Sequence, residues 1–380
     1  MAPRYLDALV PAGDAADAIL RRALARDATR RLSRALAAWQ GLGVRTVPGA
    51  RLDSIDPASG RFRCWLAEVE DALAIARETR RERLIERVAD AGFLARVAPQ
   101  GRIPRDFARR AREEAKRLLR ASARGLDLHP GAFGRLLVER GARTVTLGRD
   151  PRFERRVGRA MALLDTAWPE AASMVRARTW RIVPVSAAAT VSFSSAREPG
   201  VAYIDVRSAP DLRMAEDLVH ETTHMRLHEI ESVRPLVRRQ ALDEPRFYSP
   251  WRREWRPVRG LVHAVCTFTV GAIWFERMLA SQVGVRPARR RWLARRLLEE
   301  RASVAIALAA FRGTRARGLL TEAGRRVVRA AAREHAALSD AARRRERWLA
   351  SSVEGRAELA RLSREISRLR ARPLRWRWEA

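Results

Sequence analysis

Three of the chain's six histidines, His220, His224 and His228, recur at steps of four in the stretch LVHETTHMRLHEI (218–230), with Glu221 directly after the first. A chain of this composition holds about 0.09 histidine pairs at that spacing by chance, and about 0.01 once an acid must follow the first, so accident is a weak account. On a helix, residues four apart stack on one face. His220 and His224 can therefore aim two imidazole nitrogens at one ion about 2.0 to 2.1 Å from each. This is the HExxH pattern, and the chemistry it offers is that of a bound metal; in a zinc hydrolase Glu221 would be the general base.

Two imidazoles do not complete a site. The segment GLVHAVCTFTVGAIWF (260–275) carries no formal charge, and a helix apolar all round is normally buried, so His263 would be desolvated and in need of a partner. A metal would satisfy it, and His263 is the expected third ligand. A neutral core histidine bonded to a backbone carbonyl is the bland alternative. Glu231 and Glu276 are the other candidates, and a carboxylate would give the arrangement common in zinc proteases. His228 lies a full turn beyond His224 and is expected to orient a ligand or face solvent. His129 and His335 are expected on the surface.

The elements that must position these residues can be read around them. RIVPV (181–185), TVSFSS (190–195) and VAYIDV (201–206), with the turn EPG (198–200), predict a short antiparallel sheet. Ser208 then offers an N-cap, with Pro210 and Asp211 in the first turn of a helix that carries the motif to about Ser232. Residues 1–175 read as helical, including Asp71 to Arg87 and Pro104 to Arg124, and from about Arg286 the chain returns to Arg/Ala/Leu/Glu helices. The expected fold is mainly α with a small antiparallel β-sheet: a zincin-like strand hairpin plus HExxH helix at 176–285, between an N-terminal helical region (1–175) and a C-terminal Arg-rich one (286–380).

Composition bounds the function. A net charge of +32 invites a nucleic-acid reading. However, the basic residues are nearly all arginine, Lys116 being the only lysine, and they run from Arg4 to Arg377 among Ala, Leu and Glu. That spread suits solvated helix faces, and no nucleic-acid motif organises it. An acidic peptide partner would use the same field. Cys64 and Cys266 match no disulfide framework or zinc finger. The first residues lack the order of a signal peptide, and the apolar run at 260–275 is short for a bilayer, so a cytoplasmic chain without a membrane span is expected.

The motif segment DLVHETTH, followed by FYSPWRREWRPVRGLVHAVCTF (247–268), resembles the family of HExxH-motif-containing peptide-modification proteins of ribosomal peptide natural-product biosynthesis. Some of its members are regarded as iron- and 2-oxoglutarate-dependent peptide β-hydroxylases. The similarity covers about residues 180–285, and its specific element is the downstream pattern kept here as Pro250, Trp251, Arg252, Arg256, Pro257, Gly260 and His263. It implies Fe(II), 2-oxoglutarate and a precursor peptide. A hydroxylase needs no base at Glu221, but it does need a cation for the distal carboxylate of its co-substrate. Arg259, four residues before His263 and on its helical face, is the first candidate and Arg256 the next. A zinc metallopeptidase that trims a precursor, or a basic helical binding protein with a structural metal, would share the same histidines.

Overall fold

In the computed structural model, the described residues are 14–40, most of 58–70, 145–146, 151–186, 192–196, 198–207, 211–239, 245–281 and 284–370. The helices expected at 71–87 and 104–124, the Ser208 cap and His129 lie outside them. Contacts divide the chain into two compact units. One comprises Met1–Ile19, Glu154–Val175 and Ala209–Ala380; the other comprises Leu20–Phe153 and Arg176–Ser208. The units are thus drawn along lines different from the three regions read in the sequence. The motif helix shares a unit with the Arg-rich C-terminal helices, while the strands before it belong to the other unit.

In the second unit, helix α1 (Asp14–Gln40, entering it at Leu20) precedes a sheet of β1 (Val145–Thr146), β2 (Arg181–Ser186), β3 (Phe193–Ser194) and β4 (Val201–Asp205), in the order β1-β2-β4-β3. The sheet is mixed, which corrects the antiparallel expectation: β1/β2 and β3/β4 are antiparallel, but β2 and β4 run parallel from Arg181↔Val201 to Val185↔Asp205. The expected turn at 198–200 does form a hairpin, with β3, inside the TVSFSS run, as its first arm and β4 as its second. The chain reverses once between β2 and β3 and again at the turn, and two reversals leave β4 parallel to β2. Gly200 makes the turn at φ +82°, and a Cβ there would stand 2.4 Å from the Trp180 ring. Glycine meets both demands. Val183, Val185, Val201 and Tyr203 form the core of this sheet, with Trp180 and Phe193 packed against it.

In the first unit, α2 (Pro151–Ala167) and α3 (Pro169–Arg178, crossing into the second unit) precede the motif helix α4 (Asp211–Val233). Asp211, in the first turn of α4, accepts from Arg159 Nε at 2.6 Å, which places an anion where the helix dipole favours one. A hairpin not expected from the sequence follows: β5 (Pro245–Ser249) and β6 (Glu254–Pro257), paired Phe247↔Arg256 through Ser249↔Glu254. Its turn holds Arg253 at φ 55°, doing without the usual glycine. Helix α5 (Val258–Ala280) then lies against α4 and α6 (Pro287–Ala310), burying Leu261, Val265, Val270, Trp274 and Phe275 completely. At 23 residues α5 is longer than the 260–275 run suggested, and it is the one described helix long and apolar enough to cross a bilayer by composition; most of it is buried inside this unit as a core helix. Helices α7 (Thr314–Leu319), α8 (Glu322–Ala337), α9 (Ser339–Ala350) and α10 (Val353–Arg370) complete the unit. Many arginines here pair within it, for example Arg295 with Glu365 at 3.1 Å and Arg345 with Glu276 at 3.0 Å.

One glycine fixes how α8 docks. Thr321 caps the helix, its hydroxyl accepting from Gly324 N at 3.1 Å, while Thr321 N donates to Leu236 O at 3.0 Å. A Cβ on Gly324 would lie 2.0 Å from that same Leu236 carbonyl. Glycine to alanine inside an exposed helix stabilises by about 1 kcal/mol. Here the sign should reverse, and Gly324→Ala should destabilise by about 2 kcal/mol because backbone must move. Urea unfolding of the full chain reads this directly, and a stabilised variant would refute the close approach.

Candidate metal centre

Helix α4 is buried on nearly every side, and the exceptions are informative. From Met214 to Ile230 every residue is buried except His220, His224 and His228, which are half-buried. The accessible line of this helix is its histidine stripe. Thr222 and Thr223, on the buried side, satisfy their hydroxyls on Leu218 O and Val219 O one turn back. Glu221 is also on that side, 3% exposed.

Helix α5 supplies the facing wall. His263, 5% exposed, stands with its ring centroid 5.3 Å from that of His224 and 4.9 Å from that of His228. Its Nδ1 is 3.0 Å from His224 Nδ1. One proton between them satisfies both atoms. Two ligand nitrogens about 2.1 Å from a common ion at a right angle would also stand about 3.0 Å apart. His220 lies one turn back, its ring edge-on to His224 at 4.9 Å and to Phe268 at 4.8 Å. The fold therefore brings His224 and His263 together across the α4/α5 interface from segments about forty residues apart, with His220 reached through His224; among the described residues the three ligand atoms that lie within 4.8 Å of one another belong to His228, Glu231 and His263.

The imidazoles of α4 are held neutral, as ligands must be. Burial, with the charges of Arg213, Arg252 and Arg296, pushes His220 down to about 3. Burial and the neighbouring rings hold His224 well below its ordinary range. His228 is pushed down to about 4, burial outweighing the contact with Glu231.

The other candidates are placed as follows. Glu276 is 13 residues beyond His263, about 20 Å along the helix, and is gripped at two points by Arg345, both at 3.0 Å; it does not join the histidines. Glu231 does join them, 3.2 Å from His263 Nε2 and 3.5 Å from His228 Nδ1. Burial raises its carboxyl, but contacts from His228, His263 and Arg259 outweigh burial and hold it well below the usual carboxylate range. Arg259 donates to Glu231 through Nε at 2.9 Å and through Nη2, and its Nη2 lies 3.2 Å from His228 Nδ1. Its charge is thus committed within the cluster. Arg256, 31% exposed in its side chain, has Glu254 at 3.6 Å. His335, expected on the surface, is half-buried and donates Nε2–H to Arg301 O at 2.9 Å.

Sequence reasoning missed the support behind His220. Trp251, at the hairpin turn, stacks on Phe268 with centroids 4.3 Å apart and donates Nε1–H to Glu300 at 2.7 Å. Glu300 and Glu216, both buried, share Arg296, and Arg213 adds a contact to Glu216 at 3.3 Å. Glu216 is one turn before His220 on the same face, so the cluster braces the start of the stripe. Burial pushes the Glu300 carboxyl up to about 7. Cys266, one turn past His263, is buried and its thiol pushed up by burial, which leaves it inert.

The donor set suits a divalent ion: neutral imidazoles on an accessible stripe, and in His263 Nε2 a buried nitrogen with no aligned hydrogen-bond partner. No family model matches the chain, and no curated protein matches it either.

Proposed function

We propose that the chain is a metal-dependent peptide-modifying enzyme, with His220, His224 and His263 as metal ligands, and that its reaction is the Fe(II)/2-oxoglutarate-dependent β-hydroxylation of a peptide side chain. The observation that carries this reading is the histidine stripe. A purely structural metal is enclosed by its ligands, whereas these imidazoles form the accessible line of an otherwise buried helix, where a substrate can approach. Three imidazoles leave positions for a bidentate co-substrate and oxygen. Bound iron would supply the redox chemistry: oxygen is reduced, 2-oxoglutarate is oxidised to succinate and carbon dioxide, and one oxygen atom enters a peptide C–H bond.

The protein's own residues supply position and charge. His263 is held by its Nδ1 contact with His224, with Glu231 beside its Nε2, Phe268 packs edge-on against the His220 ring, and Arg256 is the more available cation for the distal carboxylate of the co-substrate, since Arg259 is engaged by Glu231. The zincin-like reading of the core belongs to the same proposal, resting on the sequence order of strand β4 followed by α4. The net charge of +32 would favour an acidic precursor peptide.

The second reading, a zinc metallopeptidase, needs Glu221 as general base. Glu221 is 3% exposed, and a base of that kind must meet both water and substrate, so its burial favours the hydroxylase. The test is direct. With the anaerobically purified full chain, succinate should form only when iron, oxygen and 2-oxoglutarate are all present, and an accepted peptide should gain one oxygen atom in mass. A cleaved peptide with zinc alone would replace this reading with the peptidase.

A further inference from the structure

Beside the His220/His224 pair, a second set of polar atoms converges where the last turn of α4 meets the first turn of α5. Ligand atoms of His228, Glu231 and His263 all lie within 4.8 Å of one another. Among them sits a positive charge that the chain itself provides: Arg259 Nη2 contacts Glu231 Oε2 and lies 3.2 Å from His228 Nδ1. A guanidinium only donates, so His228 Nδ1 accepts, with its lone pair turned toward the arginine. His263 Nε2 is buried and 3.2 Å from Glu231 Oε2, yet it is not aligned for a hydrogen bond to that oxygen or to any other group. Two atoms that touch without pointing at each other are arranged as ligands around a common centre are arranged.

We propose that His228 Nδ1, Glu231 Oε2 and His263 Nε2 form a second cation position, filled by the Arg259 guanidinium, from which a divalent metal of the zinc or ferrous type displaces it. Two imidazoles and one carboxylate are a donor set such ions accept with open positions remaining. Arg259 has somewhere to go, because its side chain is 39% exposed and Glu231 is what holds it. Metal and guanidinium cannot share the site, since both are cations that need the same carboxylate oxygen. The displaced arginine would then be a free cation beside a metal, the group an anionic co-substrate requires.

His263 couples this position to the one at His220 and His224. A neutral imidazole has one lone pair. If Nδ1 gives it to an ion held by His220 and His224, Nε2–H turns to Glu231; if Nε2 gives it to the second position, Nδ1–H turns to His224. One ion per chain is therefore expected in the natural sequence. The inference rests on the functional reading only through His263, and the experiment separates the two.

The experiment is a cobalt(II) titration of the full-length chain, followed by calorimetry and by visible absorption, with folding checked by circular dichroism. Arg259→Met removes the competing charge at similar length and should tighten cobalt binding by at least about tenfold. Arg259→Lys keeps a cation and should not. The gain should vanish when Glu231→Gln or His228→Ala is added, and should survive in the His220→Ala/His224→Ala background. Unchanged or weaker binding in folded Arg259→Met, or a gain that survives Glu231→Gln, overturns the proposal. If the double variant abolishes all binding even with Arg259→Met, the second position falls and the HExxH site stands. If the double variant leaves binding untouched, the HExxH site falls and the second position stands.

Discussion

His224→Ala should strip the proposed catalytic metal from the protein and with it the activity, while the helices remain. His224 is central to the cluster: its Nδ1 meets His263 at 3.0 Å, and its ring lies 4.9 Å from His220 and 6.3 Å from His228. Loss of a group that merely orients a ligand weakens metal binding by about 10- to 100-fold, so loss of a ligand should exceed the upper end. The fold should tolerate the change, because His224 is half-buried and alanine is the better helix former. His220→Ala should behave in the same way. His263→Ala is expected to weaken binding by at least about tenfold; a histidine that only filled space would instead cost about 1 to 3 kcal/mol of stability and leave affinity intact. Metal content after gel filtration, read by elemental analysis beside the thermal melt, tells these apart. Stoichiometric metal in both His220→Ala and His224→Ala would remove the HExxH pair from the site.

The parts of this site that were legible in the sequence were those with a period. His220 and His224 announce themselves because a helix places every fourth residue on one face, and the charge-free run around His263 announces a buried helix because no soluble surface tolerates sixteen such residues. What could not be read was which partner each charge chooses. Arg259 was legible as a cation on the His263 face, but its capture by Glu231 depends on where α4 ends relative to where α5 begins, a tertiary distance with no local signature. His228 looked like one step too many along the stripe, yet α5 crosses α4 so that His263 lies as near His228 as His224. Glu231, three residues on, was the available hint. The β5–β6 hairpin escaped because its turn uses Arg253 at φ 55° where the sequence signal would be glycine or asparagine. The parallel β2/β4 pair escaped because strand runs specify extended backbone and leave direction to the connection.

The buried charges around Arg296 were the least legible and should have the largest effect on stability. In a chain with 76 basic residues, Arg296 reads as one more solvated helix position. In the fold it is tucked against Glu216 at 3.2 Å and Glu300, with its guanidinium 5.5 Å from the centroid of the Phe275 ring. Arg296→Met keeps apolar bulk over that ring but leaves two buried carboxylates without their shared cation, a change that costs about 3 to 5 kcal/mol when the charges cannot escape. They can escape in part, by taking protons. Burial raises Glu216, and Glu300 already sits at about 7. A carboxyl raised in the folded state holds more protons than its unfolded counterpart, so stability is highest below the unfolded value, about 4.5, and falls as pH rises through about 7. Without Arg296 both groups rise further and the fall steepens. The Arg296→Met penalty should therefore be largest near pH 8 and shrink toward pH 5, and adding Glu300→Gln, which still accepts from Trp251, should flatten that dependence. Because Trp251 stacks on Phe268 and Phe268 meets the His220 ring edge-on, metal affinity should weaken along with stability. Urea unfolding at pH 5 and pH 8 decides the matter: a penalty below about 1 kcal/mol at both, the size expected of an exposed ion pair, would show that the cluster is solvated and does not brace the stripe.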